Sequence, residues 1–399
     1  MKTWIRKRLD ISTKDWIYAL KSCITTGSRI STIKKIESIW NNENQKAFVC
    51  FSVRTGFDLL LEAIKFEQGD EVMISALTIP DMPKIIENNG LVPIPIDLTI
   101  DNLAPSLEKI EAAITPRTRA IVVAHLFGGI VDLDKISEIA QKHNIVLIED
   151  CAQSFYSKSY SGNPKSDISM FSFGTIKTST ALGGGILVVR NNLPLVNKMQ
   201  DLNDAYPIQN RIEFILKVIK YFLITFLSSP RIFPWVIKFI KRKNIDYDLY
   251  IHNLSRSFPS GHLFEKIRRQ QCFPLLKLLK YRLDKDQHKT IEARIEKGNY
   301  LLQNLPDSFK FPGQQATFQT YWAFPILASE PQKIIDSLRK NGFDVTHRNS
   351  LQIVGLAKKS DTENLQHLQN QIVFLPLYPE IPINELNRMI KLLQKLQDT

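Results

Sequence analysis

Between residues 46 and 190 the chain alternates short apolar runs with amphipathic stretches of roughly ten residues. Seven of the runs have the pattern of strands: AFVCFS, DEVMIS, LVPIPID, AIVVAHL, NIVLIED, ISMFSF and GGILVVR. Parallel strands need a crossover connection, usually a helix, so the alternation predicts an α/β fold with a mainly parallel seven-stranded sheet and helices on both faces. Too few residues separate the last two runs for a crossover helix, and GGILVVR is therefore expected to run antiparallel to its predecessor.

Differences in charge, apolar content and periodicity along the sequence predict four regions. Residues 1–45 are expected to form a helical, basic leader and residues 46–190 a large domain, followed by an apolar and basic insertion at 191–285 and a smaller α/β domain at 286–399. The basic N-terminus has no apolar run behind it, so no secretory signal is predicted and a cytoplasmic location is expected. The four cysteines show no paired spacing, so we predict neither a disulfide framework nor a metal site.

A lysine and an aspartate follow two neighbouring strands of the predicted sheet. Asp150 ends NIVLIED, and Lys177 follows ISMFSF. The carboxyl edge of an open α/β sheet is where ligands bind. Pyridoxal phosphate needs an amine for a Schiff base and a carboxylate that keeps its ring nitrogen protonated, and this pair suits both needs. A Walker-type phosphate loop is excluded because Ile176, not glycine, precedes the lysine.

A phosphate cradle is predicted in SVRTGFDLLLEAI, where the turn Arg54-Thr55-Gly56 leads from a strand into a helix. The amides at a helix start face an anion, and the Ser172 hydroxyl could add a further donor. A structural alternative stays open for each polar residue: Asp150 could cap the turn after its strand, and Ser172 could bond its own backbone. His125, in AHLFGG, is interpreted as a core histidine.

Taken in order, RTG, GDEVMIS, VPIPIDL, ITPRTRAIVVAHLFGG, VLIEDCAQS and FSFGTIKTSTALGGG resemble the DegT/DnrJ sugar aminotransferase family of fold type I pyridoxal phosphate enzymes, over about residues 45–190. The resemblance implies contacts with the cofactor for six residues: Lys177 as the Schiff-base lysine, Asp150 at the pyridinium nitrogen, Gln153 near the ring hydroxyl, and Ser172 with the backbone of Arg54 and Thr55 at the phosphate. Glycines 183–185 would give the lysine loop room.

The resemblance further implies a homodimer that transfers an amino group from glutamate to a nucleotide-linked 4-keto-6-deoxyhexose, with no nucleic-acid partner. Two alternatives stay open. One is a cofactor-binding but catalytically reduced, membrane-associated protein of glycan assembly. The other is a pyridoxal phosphate-dependent lyase or dehydratase. Related sugar dehydratases generally carry histidine in place of the lysine, so Lys177 favours transamination.

The sequence departs from the family pattern at three places, of which one is the apolar and basic insertion at 191–285. Ile79 stands where the family usually has an aromatic residue stacked on the cofactor ring. The Asn and Arg phosphate motif that the family donates across its dimer interface is not found after GGILVVR, and Arg268 or Arg269 is the nearest basic candidate.

Residues 211–243 hold eight lysines and arginines against one acid, Glu213, within a chain whose net charge is +12. The apolar run ends at SSPR after about 16 residues, short of the ~20 that span a bilayer. With Lys217 and Lys220 near one face, the segment is expected either to lie in a membrane interface or to bury its apolar face against the core or a second subunit. Peripheral contact with the inner face of the membrane is thus one of two open predictions.

Overall fold

The computed structural model describes residues 2–243, 245–248, 261–347, 351–354 and 363–397. In these ranges the strands are β1 (Gln45–Cys50), β2 (Glu71–Ser75), β3 (Leu77–Thr78), β4 (Val92–Ile96), β5 (Thr118–Ala124), β6 (Gly129–Ile130), β7 (Val146–Asp150), β8 (Ile168–Ser172), β9 (Gly185–Arg190), β10 (Phe318–Gln319), β11 (Phe324–Leu327), β12 (Gln352–Ile353) and β13 (Ile372–Leu375).

The helices in the same ranges are α1 (Thr13–Ile24), α2 (Arg29–Glu37), α3 (Val53–Ile64), α4 (Asp81–Asn88), α5 (Leu107–Ala113), α6 (Asp134–Lys142), α7 (Leu193–Asp204), α8 (Arg211–Leu227), α9 (Phe233–Arg242), α10 (Leu263–Ile267), α11 (Phe273–Asp284), α12 (His288–Gln303), α13 (Pro331–Lys340), α14 (Glu363–Gln371) and α15 (Ile383–Gln397).

Seven strands form the large sheet, in the order β1-β9-β8-β7-β5-β2-β4. The pairs among β8, β7, β5, β2 and β4 are parallel, whereas β9 is antiparallel to both β8 and β1. The seven predicted strands and the antiparallel direction of the last one are confirmed. Because β9 is antiparallel to both of its neighbours, those neighbours, β1 and β8, run parallel to each other. The carboxyl ends of β1, β5, β7 and β8 therefore lie at one edge of the sheet.

The two faces of the sheet are buried by different helices, as the period-two alternation of strand side chains requires. On β1, Phe48 and Cys50 pack with α3, α4 and α7. Their neighbours Ala47 and Val49 pack on the opposite face with α1, α2, α8 and α11. Helices on both faces are therefore confirmed.

Gly185 sits at the start of β9, opposite Cys50 on one side and Ser172 on the other. A Cβ atom at this position would stand 2.6 Å from the Val53 nitrogen and 2.7 Å from the Ser52 carbonyl carbon. Side-chain carbons do not approach backbone so closely, so only glycine lets β9 run against the first turn of α3.

The C-terminal region packs a second core around the antiparallel pair β11 and β13. Two short pairs join it to the large sheet, β10 with β6 and β12 with β3. The strands predicted at TYWAFPIL and IVFLPLY thus exist and pair with each other. The predicted domain boundaries stay a prediction.

The predicted helical leader differs from the structure in its first residues. Ser12 and Asp15 form a capping box that starts α1, and the residues before it are not helical. Trp4 instead makes a strand-like bridge to Phe343, and Arg6 forms an ion pair with Asp344 at 2.6 Å. This N-terminal segment, residues 2–12, therefore reaches the C-terminal core.

In the predicted insertion, α8 ends at Leu227 and Ser228 caps it, so the break at SSPR is where the sequence placed it. Lys217 and Lys220 do not share an environment: Lys220 is exposed, whereas Lys217 is partly buried beside the glycine run at Gly183. No helix in the described ranges combines the length and apolar content that crossing a bilayer demands.

A buried arginine joins α1, α11 and the N-terminal segment. Arg282 donates to the Asp15 carboxylate at 2.6 Å and to the Asp10 carbonyl at 2.6 Å. Burial raises the pKa of the Asp15 carboxyl, but the Arg282 charge and hydrogen bonds from Lys285 and Ser12 outweigh it and hold that pKa below its ordinary value. The ionised pair thus stabilises the folded chain.

We expect Asp15→Asn to lower the free energy of unfolding by about 3–5 kcal/mol, because it leaves the buried Arg282 charge with only its longer ion pair to Asp10, at 3.4 Å. A lowered folded-state pKa contributes stability above the unfolded value of about 3.9, and this contribution is lost as pH falls through the folded-state pKa. Chemical denaturation should therefore show a large difference from wild type at neutral pH that shrinks in acid. Asp284→Asn, which breaks the exposed pair with Lys280, is the control and should cost less than about 1 kcal/mol.

Candidate active site

A cavity of about 370 Å³ opens at the carboxyl edge of the large sheet. Its walls come from the ends of β7 and β8, the start of α3, the inner side of α8, the N-terminal segment and the C-terminal region. Five of the six residues predicted for the site line it: Arg54, Asp150, Gln153, Ser172 and Lys177.

Asp150 is the last residue of β7, where parallel pairing with β5 and β8 fixes its direction. Its Oδ1 accepts a hydrogen bond from the Ala152 amide at 2.9 Å. Burial raises the pKa of this carboxyl above its ordinary value, and the Ala152 amide and the Lys177 charge oppose the rise. The Ala152 amide and the Lys177 charge therefore favour the ionised form of this buried carboxyl.

Lys177 lies in the turn after β8, where its amide donates to the Gly174 carbonyl at 3.0 Å. Burial lowers the pKa of the Lys177 amine to about 8, although the Asp150 charge raises it and the Arg54 charge adds to the lowering. An amine with this pKa is partly neutral near physiological pH, and a neutral amine is a nucleophile and a base.

The first turn of α3 faces the same cavity. Ser52 caps the helix by accepting from the Thr55 amide at 3.2 Å, and Ser52, Val53 and Arg54 line the cavity beside Ser172. Helix N-termini favour anions, so this corner suits a phosphate. The Arg54 side chain itself pairs with Asp81 at 2.6 Å.

Thr55 is the one predicted site residue that does not line the cavity. Its side chain is fully buried, and its hydroxyl donates to the Ile267 carbonyl at 2.7 Å. Its amide donates to the Ser52 hydroxyl. The amphipathic pattern of α3 could have shown this, because the third residue of the helix turns toward the core.

Gln153 is held in place by the loop after β5, since its Oε1 accepts from the Phe127 amide at 2.9 Å. His125, in the same loop, is buried and hydrogen-bonded at both ring nitrogens, to the Glu149 carboxylate at 2.9 Å and from the Val131 amide at 3.1 Å. These bonds agree with the interpretation of His125 as a core histidine.

Two further residues at the cavity were not predicted from the sequence. The Trp322 ring lies beside the site lysine, with the Lys177 Nζ 4.5 Å from the ring centroid, and its Nε1 donates to the Ile176 carbonyl at 3.0 Å. Lys7 of the N-terminal segment places its Nζ 2.8 Å from the same ring centroid. Burial, and then the charges of Lys177 and Arg294, lower the pKa of the Lys7 amine well below its ordinary value.

Ile79 also lines the cavity, so the aliphatic residue noted in the sequence does face the site. An aromatic face is present all the same, contributed by Trp322 from the C-terminal region. Arg268 and Arg269 are not among the lining residues. They pair instead with Asp58 at 2.8 Å and with Glu213 at 2.7 Å.

Comparison with known structures shows the same fold in three enzymes. The chain is similar to a DegT/DnrJ/EryC1/StrS aminotransferase from Brucella abortus, at 15% identity and a TM-score of 0.68, over 96% of this chain and 95% of that one. It is similar to E. coli GDP-4-keto-6-deoxy-D-mannose-3-dehydratase with bound hydrated PLP, at 14% identity and a TM-score of 0.70, over 98% and 100% of the two chains. It is also similar to the Helicobacter pylori aminotransferase of pseudoaminic acid biosynthesis, at 16% identity and a TM-score of 0.70, over 99% of each chain.

Part of the chain also matches a protein family in sequence. Residues 23–205, just under half of the chain, match the model of the DegT/DnrJ/EryC1/StrS aminotransferase family. The matched stretch contains all six residues predicted for the site, together with every strand of the large sheet. Over residues 23–205 the chain is therefore similar in sequence to the DegT/DnrJ/EryC1/StrS aminotransferase family, and over its whole length it shares the fold of the enzymes named above.

Proposed function

We propose that this chain is a pyridoxal phosphate-dependent aminotransferase that moves an amino group from glutamate to a nucleotide-linked keto sugar, a 4-keto-6-deoxyhexose. The observation that carries the proposal is the Lys177 amine, with a pKa of about 8, beside the Asp150 carboxylate in one cavity at the sheet edge. The sequence match of residues 23–205 to the aminotransferase family supports the reaction class.

The residues at the cavity fit pyridoxal phosphate. Lys177 would hold it covalently and Asp150 would bind its ring nitrogen. The start of α3 with Ser172 would take its phosphate. When bound, the cofactor supplies an electron sink for the carbon–hydrogen bond broken in the amino donor.

The chain's own residues supply the proton chemistry. The Asp150 carboxylate would keep the ring nitrogen of the cofactor protonated. The Lys177 amine would be the base that takes the proton from the α-carbon of the donor, and then the acid that gives it to the cofactor carbon bearing the amino group. A pKa near 8 suits both directions, because such an amine gains and loses a proton readily near neutral pH.

The charge around the cavity supports anionic substrates. Its ionisable lining has more basic than acidic side chains, although burial lowers the pKa of the three lysines and the three arginines pair with carboxylates; the acids are Asp81 and Asp150, and the basic residues are Arg6, Lys7, Arg8, Arg54, Lys177 and Lys217. A cleft with one sign of charge concentrates ligands of the other sign. Glutamate and a nucleotide diphosphate sugar are both anions, and a neutral free sugar would gain nothing from this field.

Dehydration of the sugar is the second candidate, because the dehydratase from E. coli resembles this chain in fold as closely as the aminotransferase from Helicobacter pylori does. Lys177 favours transamination, since the related dehydratases generally have histidine at that position. The homodimer implied by the family resemblance remains part of the proposal. A catalytically reduced protein is less favoured because Lys177, Asp150 and Gln153 lie together at the cavity.

We expect the purified chain to acquire a visible absorbance band with pyridoxal phosphate and to pass label from isotopically labelled glutamate to one of a panel of nucleotide-linked keto sugars. Lys177→Ala should lose both, because no amine remains to hold the cofactor. Lys14→Ala, at an exposed lysine of α1, is the matched control and should keep both. A wild-type protein without the band would refute the proposal, and a dehydrated sugar without label would establish the second candidate.

We expect Asp150→Asn to bind the cofactor but to turn over roughly a hundredfold more slowly, because a neutral amide cannot hold the ring proton. Since the Asp150 charge raises the pKa of Lys177, its removal should move that pKa below about 8. A larger neutral fraction then makes Lys177 of the cofactor-free protein react faster with acetic anhydride at neutral pH. Mass spectrometry of the labelled peptides measures this rate, with Lys14 in the same digest as the unaffected reference; an unchanged Lys177 rate would contradict the coupling of the two groups.

A further inference from the structure

One side of α8 exposes a continuous apolar stripe. Its five residues follow one another at intervals of four, three, four and three positions, so they lie on one face of the helix, and each is 43–63% exposed: Ile212, Leu216, Ile219, Leu223 and Phe226. Scattered apolar residues are normal on a surface, but a contiguous apolar stripe of this kind marks an interaction site.

The helix that packs against α8 and the helix that follows it in the chain also expose apolar residues. On α1, Ile17, Leu20 and Ile24 are exposed at helical spacing, and this helix packs against α8, with the Trp16 and Phe222 ring centroids 5.8 Å apart. On α9, Trp235 and Phe239 are 71% and 62% exposed and lie one turn apart. We call the exposed sides of α1, α8 and α9 the apolar face.

The fold does not need this face for its own core. The opposite side of α8 already carries the buried residues Phe214, Val218 and Tyr221. Tyr221 and Ile224 also line the cavity of the candidate active site. The helix is therefore apolar on two sides, of which the described chain covers one.

The charges beside the apolar face have one sign. Its exposed ionisable residues are basic: Lys21, Lys220, Arg231, Lys238, Arg242 and Lys243. Glu213 is the single acid between residues 211 and 243, and Arg269 pairs with it at 2.7 Å. A partner that complements this pattern has negative charges at its surface and an apolar layer directly beneath them.

A second copy of the chain is a poor match for the face. A two-fold axis would set the same patch against itself and bring lysines and arginines opposite lysines and arginines. Like charges across an interface oppose association. A bilayer that contains acidic lipids has the opposite character, since its headgroups are negative and its acyl chains lie directly beneath them.

We propose that the apolar face docks the protein on an anionic lipid surface, with α1, α8 and α9 lying in the plane of the interface. Leu216, Leu223 and Phe226 would enter the acyl boundary, and Trp235 would sit at the level of the headgroups. The basic residues would remain among the phosphates. This proposal concerns a surface outside the cavity and stands whether or not the proposed reaction is correct.

We expect the full chain, loaded with cofactor, to sediment with vesicles of phosphatidylcholine and phosphatidylglycerol, but far less with vesicles of phosphatidylcholine alone. Added salt should weaken the binding because it screens the lysines and arginines. Leu216→Glu and Phe226→Glu should each reduce binding roughly tenfold or more. Ile383→Glu, at an exposed apolar residue that starts α15, is the matched control and should bind as wild type.

Trp235 provides a direct readout, because Trp4, Trp16 and Trp40 are buried and Trp322 is partly buried at the cavity. Its fluorescence should shift to the blue on anionic vesicles and be quenched by brominated lipid, and Trp235→Phe should abolish the quenching. Unchanged circular dichroism and cofactor absorbance in the variants would show that they fold. Wild-type protein that ignores anionic vesicles would overturn the proposal. So would a dimer in ultracentrifugation without lipid that Leu216→Glu dissociates, because the face would then belong to a second copy.

Discussion

The approach of β9 to the first turn of α3 determines where everything else in the site can lie. Gly185 permits it, since a side chain there would stand 2.6 Å from the Val53 nitrogen. With β9 antiparallel to both neighbours, the ends of β1 and β8 meet on either side of this glycine. The helix start, Ser172 and the turn that carries Lys177 are consequently brought to one corner. The antiparallel strand β9 thus brings an anion-binding helix start and the Lys177 amine together at the edge of the sheet.

The electrostatics of that pocket are interdependent. Burial raises the pKa of Asp150 and lowers that of Lys177, and each charge moderates the shift of the other. Lys7 adds a further cation that burial and its neighbours make less basic. Such a group of partly buried, mutually coupled charges is typical of functional sites, because folding alone would favour apolar residues there.

The parts of the structure that the sequence could predict are those written in local patterns. Alternating apolar residues revealed all seven strands, and the short connection before GGILVVR revealed the reversal of β9. Lys177 and Asp150 could be brought together because parallel strands end at the same edge. Trp322 and Lys7 could not, because their positions depend on contacts between chain segments hundreds of residues apart, such as the ion pair of Arg6 with Asp344. At close range, the adjacent residues Arg54 and Thr55 differ, since the first lines the cavity and the second is buried in the core, as the amphipathic pattern of α3 could have indicated.

Helix α8 is a wall with two sides, the cavity on one and exposed apolar residues on the other. An α-helix with its side chains is only about 10–12 Å across. An amphiphile adsorbed on Leu216 or Phe226 during purification would thus be held one helix width from Tyr221, a residue of the pocket. The choice of detergent therefore becomes a variable of any activity measurement on this protein. A change in turnover between two detergents would reflect the position of α8 as well as the chemical step.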